Sequence, residues 1–296
     1  MVDNLNITRE RIRKRRKHWI ERMESNPIYK RETERSIDKS RLYHSYRIRD
    51  EISSIYDTPA KVEYREEKTN ETIMHICDEV SNYDSSPETK IAVLNFASYK
   101  RPGGGFLTGT GTAQEESLCE VSNLALILEN FIDEYRERKA NYGLYSNDCI
   151  YSPDVLFRDK GRKCTLRRCD VISISAPNYI VYTSKRNDFS FRNKYGATSI
   201  HHHLDYLDAI DTRIQTIFDI AVDNKVDVLV LGAFGCGIFG NKPTLVAETM
   251  FKLVKIYEKN FKKIIFTIPY NPKVTPAFKL YYKLYKEGKG EELWKK

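Results

Sequence analysis

Four short apolar runs constrain the fold of this chain more than any other feature of its sequence. They are residues 90–97, 170–176, 226–231 and 263–268. Continuous apolar runs of this length are typical of strands that are covered on both faces. Helical patterns lie between them, at residues 116–135, 204–224 and 243–260. Because strands and helices alternate, the sequence predicts an α/β fold in which a sheet is packed between helices.

Weaker signals extend this pattern toward the N-terminus. Residues 41–52 and 60–64 are rich in Tyr, Val and Ile and flank a turn signal, so we predict a short strand in each. Asn70 is a candidate N-cap of an amphipathic helix with apolar residues at Ile73, Ile76, Cys77 and Val80. No linker rich in Pro, Gly or Ser divides the chain. We therefore predict one domain over residues 41–296, preceded by a helical extension over residues 1–40.

The positive charge of the chain is concentrated near its start. The net charge is +8, and the first 50 residues contribute 15 basic and 8 acidic side chains, or +7. The densest run, residues 9–17, could bind a polyanion, including nucleic acid, or act as a nuclear-import signal. The alternative is an ordinary solvated helix face, since Ile12, Trp19, Ile20 and Met23 fit one apolar helical stripe. The sequence leaves both interpretations open.

Several classes of protein are disfavoured by what the sequence lacks. No stretch approaches the roughly 18–20 consecutive apolar residues of a membrane span, and the first residues have no secretory core. We therefore expect no membrane contact and a reducing compartment, cytoplasm or nucleus. The six cysteines, Cys164 included, form no C-x-x-C pair and are predicted to be free thiols; His201, His202 and His203 lack partners at ligand spacing. We predict no metal and no cofactor.

A glycine-rich loop, residues 95–116, directly follows the first apolar run. Gly103, Gly104 and Gly105 can adopt positive φ and bring backbone N–H groups against a diphosphate or a sugar. The plain alternative is a flexible surface loop. We favour a binding loop, because both of its ends are held by elements at the carboxyl edge of the predicted sheet, where α/β proteins usually bind ligands.

Two adjacent acids, Glu115 and Glu116, open the helix that follows this loop. One explanation is structural: Thr112 and Glu115 fit a capping box, and acids in a first turn are stabilised by the helix dipole. The other is chemical. A carboxylic acid beside a loop of backbone donors could protonate the glycosidic oxygen of a bound anionic sugar.

A second glycine-rich loop, residues 232–241, follows the third apolar run. Its glycines match G-x-G-x-x-G, but this loop lies late in the chain and the next strand ends without an acid, so a dinucleotide fold is disfavoured. Backbone N–H groups at such a strand-to-helix turn can still bind a phosphate. Phe239 could lie against a ribose or in the core. Cys236 is disfavoured as a nucleophile because no neighbouring motif supplies a histidine.

Three glycines, eight intervening residues and Gln114-Glu115-Glu116 together resemble the signature of poly(ADP-ribose) glycohydrolases. Residues 95–106, 151–159, 171–178 and 231–241 are similar to the microbial-type branch of that family, so the resemblance covers almost the whole chain. It implies a macrodomain-like mixed β-sheet between helices, with a helical N-terminal extension and ADP-ribose bound at the strand ends. Residues 41–296 would then form the catalytic domain.

The resemblance also implies roles for individual residues. Glu116 would be the general acid and base, and Glu115 would orient the ribose. The residues implied to contact ADP-ribose are Asn95, Gly103, Gly104, Gly105, Phe106, Gln114, Gly235, Cys236, Gly237, Ile238 and Phe239. One departure from the family pattern is the segment 108–112, which is richer in glycine and threonine than usual.

The implied substrate is poly(ADP-ribose) or ADP-ribosylated protein, the product is ADP-ribose, and the enzyme would be a monomer. Two alternatives stay open. One is a hydrolase that removes single ADP-ribose groups from protein or nucleic acid. The other is a non-catalytic ADP-ribose-binding macrodomain, which would use the same glycine loops without needing the acid pair.

Overall fold

The computed structural model describes residues 2–44, 46, 48–49, 51–83, 89–109, 111–137, 140–159, 166–184 and 199–289. Seven strands in this part of the chain form one sheet. Strands β1 to β7 are Arg41–Tyr43, Lys61–Arg65, Ile91–Phe96, Cys149–Arg158, Leu166–Ile174, Val228–Leu231 and Lys263–Thr267. Their order across the sheet is β1-β4-β5-β3-β6-β7-β2.

The sheet is mixed, with a parallel centre. Strands β5, β3, β6, β7 and β2 run parallel to one another, whereas β4 pairs antiparallel with both β1 and β5. Strand β3 lies between β5 and β6. The chain that follows β3 therefore emerges in the middle of the carboxyl edge, which is the usual position of a ligand site in an α/β sheet.

Helices cover both faces of this sheet. In the described residues, helices α1 to α10 are Val2–Ser25, Pro27–Lys39, Thr69–Tyr83, Gln114–Cys119, Leu124–Glu129, Ile132–Glu137, Tyr179–Ser184, Ser199–Asp223, Pro243–Tyr257 and Thr275–Lys286. Residues of β3 alternate between two buried apolar clusters: Ala92 and Leu94 join α8 to α10, and Ile91 and Val93 join α1 and α3 to α5. The predicted α/β architecture is confirmed.

The predicted apolar runs and two of the predicted helices match observed elements. The four runs are strands β3, β5, β6 and β7, and the helical patterns at 204–224 and 243–260 are α8 and α9. The short strand predicted at 60–64 is β2. These elements are recovered because strands buried on both faces are apolar throughout, and amphipathic helices repeat every three to four residues.

The single helix predicted over residues 116–135 is wrong, because the structure divides this segment into α4, α5 and α6. The first break falls where Ser122 forms an isolated antiparallel bridge with Phe157. Next to it, the side-chain oxygen of Asn123 accepts a 2.9 Å hydrogen bond from the N–H of Leu156. These contacts with β4 replace the hydrogen bonds of a continuous helix. The apolar residues of the segment, Leu118, Val121, Ala125 and Leu128, are nevertheless all buried.

Two predicted boundaries near the N-terminus also differ. The strand predicted at 41–52 ends at Tyr43, because the chain then leaves the sheet: Tyr46 and the N–H of Arg49 donate to carboxylates of α8. Asn70 is not an N-cap, since α3 begins at Thr69. Its first turn is stabilised by Glu71, whose carboxylate accepts from the N–H of Lys68.

Strand β4 had no counterpart among the predicted elements. Its pairing with β5 shifts register between Ser152 and Val155, where Pro153 and Asp154 interrupt the alternation of side chains. Asp154 has a positive φ of 57°. A bulge of this kind removes the period-two pattern by which a strand is recognised in sequence.

Helices α1 and α2 of the N-terminal extension pack against the rest of the chain. Trp19 and Met23 of the predicted apolar stripe are buried, while Ile12 and Ile20 are half-buried. The indole N–H of Trp19 donates to the carbonyl of Ser122 at 3.2 Å, and the hydroxyl of Ser36 donates to the carbonyl of Pro153 at 2.6 Å. The extension is thus part of the layer of helices that covers one face of the sheet.

Five of the six cysteines lie in the described part of the chain, and all five are free thiols. Cys164 and the side chains of His201, His202 and His203 lie outside the described residues. Among the described helices, none has the length and apolar character needed to cross a bilayer.

Candidate active site

Asn95 lies at the carboxyl end of β3, at the centre of the candidate site. Its side chain is fully buried, and its amide nitrogen donates to Ser173 of β5 at 3.1 Å and to Oε1 of Glu115 at 3.3 Å. The amide oxygen of Asn95 is buried and has no hydrogen-bond partner among the described residues. An unpaired buried acceptor costs free energy, so a ligand hydroxyl that donated to this oxygen would be bound favourably.

Gln114 anchors the start of α4 to the same strand. Its amide oxygen accepts from the N–H of Phe96 at 2.9 Å, and its amide nitrogen donates to the carbonyl of Leu94 at 2.7 Å. Both ends of the amide are therefore bound to the backbone of β3. The ligand contact that the resemblance implied for Gln114 stays a prediction.

Glu115 is buried and points back toward β3. Its Oε1 accepts from Asn95, and its Oε2 accepts from the N–H of Ser98 at 2.8 Å. The capping box predicted for Thr112 and Glu115 is wrong, because Ala113 is the N-cap residue of α4 and makes no side-chain capping bond. The Glu115 carboxylate instead fixes the chain where it leaves β3.

Glu116 is held by the first glycine loop. Its Oε1 accepts a 2.7 Å hydrogen bond from the N–H of Gly105. Its Oε2 is buried and has no hydrogen-bond partner among the described residues. One oxygen thus fixes the carboxyl group, and the other keeps its hydrogen-bonding capacity unused among the described residues.

The glycines of the first loop leave the space that this carboxyl group occupies. A Cβ atom on Gly104 would stand 2.6 Å from Oε1 of Glu116 and 2.8 Å from Oε2 of Glu115. A Cβ atom on Gly111 would collide with the side chain of Glu116. Gly103 and Gly104 also have positive φ angles of 63° and 60°, which side-chain-bearing residues rarely adopt. Phe106, implied as a ligand contact, is fully buried beneath the loop.

The second loop presents unpaired backbone donors. The N–H groups of Gly237, Ile238 and Phe239 have no hydrogen-bond partner among the described residues. Ile238 is 77% exposed, and open space surrounds the position of a Cβ on Gly237. Gly235 has a φ of 69° and packs against Asn241, which fixes the base of the loop. Three successive free N–H groups are suited to binding a phosphate.

Cys236 sits in this loop as a half-buried thiol. Burial raises the pKa of Cys236 to about 12. The thiolate is the nucleophilic form of a thiol, so a raised pKa lowers the reactive fraction of this residue at neutral pH. The structure therefore supports the sequence-based interpretation that Cys236 is not a nucleophile.

An aromatic contact links the two loops, and sequence reasoning did not single it out. The rings of Tyr99 and Tyr145 stack with centroids 3.7 Å apart, and Tyr145 meets Phe239 edge-on at 6.1 Å. Phe239 is half-buried, so it is neither free on the surface nor part of the closed core. Tyr182 is buried and packs on Tyr206 in the core.

The described residues contain no group of three or more His, Cys, Asp or Glu side chains that could hold a metal ion. The site therefore consists of two carboxylates, an asparagine and two loops of backbone donors at the middle of the sheet edge. Such a set can bind an anionic sugar and transfer a proton to it.

Comparison with known proteins gives matches to one family. The sequence model described as "Microbial-type PARG, catalytic domain" matches residues 11–159, a segment that begins within α1 and includes both glutamates. No curated protein sequence shows a significant match.

Solved structures of poly(ADP-ribose) glycohydrolase (PARG) share the fold. One from Thermomonospora curvata has a TM-score of 0.69 and 24% sequence identity, over 93% of this chain and 99% of that one. The same enzyme bound to the inhibitor ADP-HPD has a TM-score of 0.66 and 23% identity, over 93% and 99% of the two chains. The enzyme from Deinococcus radiodurans in complex with ADP-ribose has a TM-score of 0.65 and 24% identity, over 86% and 97%.

Proposed function

This chain belongs to the family of microbial-type poly(ADP-ribose) glycohydrolases, and from that premise we propose that it hydrolyses the ribose–ribose bond of poly(ADP-ribose) and releases ADP-ribose. The observation that carries this proposal is the state of Glu116: Oε1 is fixed by the N–H of Gly105, and buried Oε2 has no partner among the described residues. The related enzymes whose structures contain ADP-ribose or ADP-HPD support the choice of ligand.

The proposed binding mode follows from the two loops. The diphosphate of ADP-ribose would accept from the free N–H groups of Gly237, Ile238 and Phe239. The ribose whose C1 carbon is attacked would lie between the end of β3 and Glu116, where Asn95 offers an unpaired amide oxygen. Glu115 is bound on both oxygens, so its role would be to hold this edge in place and to supply negative charge near the growing positive charge on the sugar.

The proposed reaction uses Glu116 twice. As the bond between C1 and the leaving 2′-oxygen breaks, protonated Oε2 of Glu116 donates its proton to that oxygen. A water molecule then attacks C1 and passes a proton to the Glu116 carboxylate, which restores the acid. The sequence of acid and then base catalysis by one residue follows the logic of glycosidases. ADP-ribose and the shortened polymer are the products.

We also propose, from the sequence, a domain organisation, a contact with polyanions and a cellular compartment. Residues 41–296 would form the catalytic domain of a monomeric enzyme, with residues 1–40 as its helical extension. Exposed Arg11 and Lys14 on α1 would provide the contact with a polyanion, including nucleic acid. The free thiols favour a reducing compartment, that is, the cytoplasm or the nucleus. No cofactor takes part in the proposed steps.

The experiment that tests this function offers the purified protein three substrates in parallel: labelled poly(ADP-ribose), mono-ADP-ribosylated protein and mono-ADP-ribosylated DNA. We expect ADP-ribose to be released from the polymer at the highest kcat/KM. Faster release from either mono-modified substrate would favour the mono-ADP-ribosyl hydrolase. ADP-ribose binding without release from any of the three would make the protein a reader domain.

A further inference from the structure

Arg16 of α1 is a charged side chain buried beside the catalytic loop. It is only 4% exposed, whereas its neighbour Arg15 has a side chain that is 63% exposed. Charged side chains are rarely buried unless they are paired, because removing a guanidinium from water is costly. The hydrogen-bond partners of Arg16 therefore indicate the role of this buried charge.

The Arg16 guanidinium connects two segments of the site. On the first loop, Nη1 donates to the carbonyl of Gly105 at 3.2 Å and Nη2 donates to the carbonyl of Gly111 at 2.5 Å. At the end of α4, Nε and Nη2 donate to Oε1 of Glu120 at 3.2 and 3.1 Å. The guanidinium carbon also lies 5.1 Å from the ring centroid of Phe106, within range of a cation–π contact.

Both segments position Glu116. Gly105 supplies the N–H group that binds Oε1 of Glu116, and Gly111 leaves the space for its side chain. Glu120 lies one helical turn after Glu116, and its N–H donates to the Glu116 carbonyl. Arg16 therefore holds the loop that receives the carboxyl group and the helix end that carries it.

A second arginine of α1, Arg13, contacts the same loop. The side chain of Arg13 packs directly against Gly109, so closely that a Cβ on this glycine would overlap it. Gly109 in turn donates from its N–H to the carbonyl of Gly105 at 2.9 Å. Helix α1 thus contacts the first loop at Gly105, Gly109 and Gly111.

We propose that Arg16 is a positioning residue for hydrolysis: it holds Gly105, Gly111 and Glu120 so that the carboxyl group of Glu116 is aligned with the scissile bond. This inference rests on the proposed function. Because Arg16 has no contact with the second loop, where the diphosphate would bind, it acts on kcat and not on ADP-ribose affinity.

A purely structural role for Arg16, in which it only attaches α1 to the rest of the chain, can be distinguished from a positioning role. Helix α1 has other attachments that do not involve Arg16. Trp19 donates to the carbonyl of Ser122, and the guanidinium of Arg158 lies 3.7 Å from the Trp19 ring centroid. Glu120 also keeps a second partner, since Nη2 of Arg15 donates to both of its oxygens at 3.1 Å. Loss of Arg16 therefore leaves α1 attached and Glu120 paired.

The test compares Arg16→Ala and Arg16→Lys with the control Arg22→Gln, a change at an exposed arginine of the same helix, using the full chain and labelled poly(ADP-ribose). We expect kcat to fall about 10- to 100-fold in both Arg16 variants, because misplacing a catalytic group by about 1 Å can cost 10²-fold. The lysine variant keeps the charge but cannot span both carbonyls and Glu120. KM and calorimetric ADP-ribose affinity should change little, and Arg22→Gln should keep wild-type kcat.

Chemical rescue is the readout that a structural role would not produce. Added guanidinium ion, at concentrations that leave the wild type unaffected, should raise the kcat of Arg16→Ala but not that of Arg16→Lys, in which the lysine fills the site. Wild-type kcat in Arg16→Ala, or an equal loss in kcat and ADP-ribose affinity without rescue, would overturn the proposal. An inactive wild type that binds ADP-ribose would instead refute the proposed function, so the two failures are distinguishable.

Discussion

The α-carbon of Gly104 lies against the carboxyl group of Glu116, such that a Cβ atom there would stand 2.6 Å from Oε1. Cβ atoms of real side chains essentially never come within 3.0 Å of a non-bonded heavy atom, so a side chain at residue 104 would force a displacement. The glycine and the glutamate, twelve residues apart, thus form a matched pair: the acid can occupy its position only because residue 104 has no side chain.

This pairing predicts the effect of Gly104→Ala. The added methyl group should displace the Glu116 carboxyl and lower kcat by about 10²-fold, the loss typical of a misplaced catalytic group. The positive φ of 60° adds a strain of about 1–2 kcal/mol to the folded state. Steady-state hydrolysis of labelled polymer and denaturant unfolding measure the two effects separately.

The matched control is Gly288→Ala. Gly288 has a φ of 67°, but nothing lies within 4 Å of its Cβ position. Its alanine variant should show the same loss of stability with unchanged kcat. If Gly104→Ala kept full activity, the close contact with Glu116 would have no catalytic consequence.

Cys236 should react slowly with alkylating reagents in the folded protein. Burial raises the pKa of Cys236 from 9.0 to about 12, which lowers the thiolate population at neutral pH by about 10³-fold relative to an ordinary thiol. Iodoacetamide labelling at pH 7.5, read by mass spectrometry of the peptide that contains Cys236, checks this expectation. The same peptide from urea-unfolded protein is the control and should label at the rate of a free thiol. Labelling at equal rates in both states would contradict the protection of Cys236 by burial.

Glu32 makes the attachment of α2 to the sheet dependent on pH. Burial of this side chain opposes its ionisation, but the hydrogen bonds and charges of Arg168 and Arg31 together outweigh that effect and hold the pKa of Glu32 below its ordinary value of 4.5. Oε2 accepts from Nε and Nη2 of Arg168 at 3.0 and 2.8 Å. Since the folded-state pKa is the lower one, the stabilisation is present above pH 4.5 and is lost as the pH falls through the folded-state pKa.

Glu32→Gln should therefore reduce the free energy of unfolding at pH 7 by about 1.5–3 kcal/mol, the range for hydrogen bonds to charged groups. The difference from wild type should shrink as the pH falls below 4.5, in urea titrations at a series of pH values. Exposed Glu34 on the same helix provides the control Glu34→Gln, which should show a small difference at every pH. A Glu32→Gln difference that stayed constant with pH would contradict this account.

The part of the site that the sequence predicts is the part encoded locally. Strands β3 and β6 are continuous apolar runs, and each is followed at once by a glycine-rich loop, so the two loops could be assigned to the carboxyl edge of the sheet. The acids of residues 115 and 116 open a helix directly after the first loop, and the structure buries both there. These features depend only on neighbouring residues and on the known geometry of parallel sheets.

The features that sequence reasoning missed depend on distant partners. The capping-box interpretation of Glu115 failed because Asn95 and Ser98 compete for its carboxylate. Gln114 binds strand backbone 18 and 20 residues away, and Arg16 reaches a carbonyl 95 residues further along the chain. The helix at 116–135 breaks because Asn123 pairs with β4, a strand whose own pattern is interrupted by a bulge. No local pattern reports such tertiary contacts.

The most direct test of the central claim is a comparison of Glu116→Gln with the wild type, measuring ADP-ribose release from labelled polymer and ADP-ribose binding by calorimetry on the same preparations. An amide of the same size can still accept from Gly105 but cannot deliver a proton. We predict that release falls at least about 10²-fold, the usual contribution of general acid–base catalysis, while binding affinity is largely kept. Wild-type release by the Glu116→Gln variant would contradict the account.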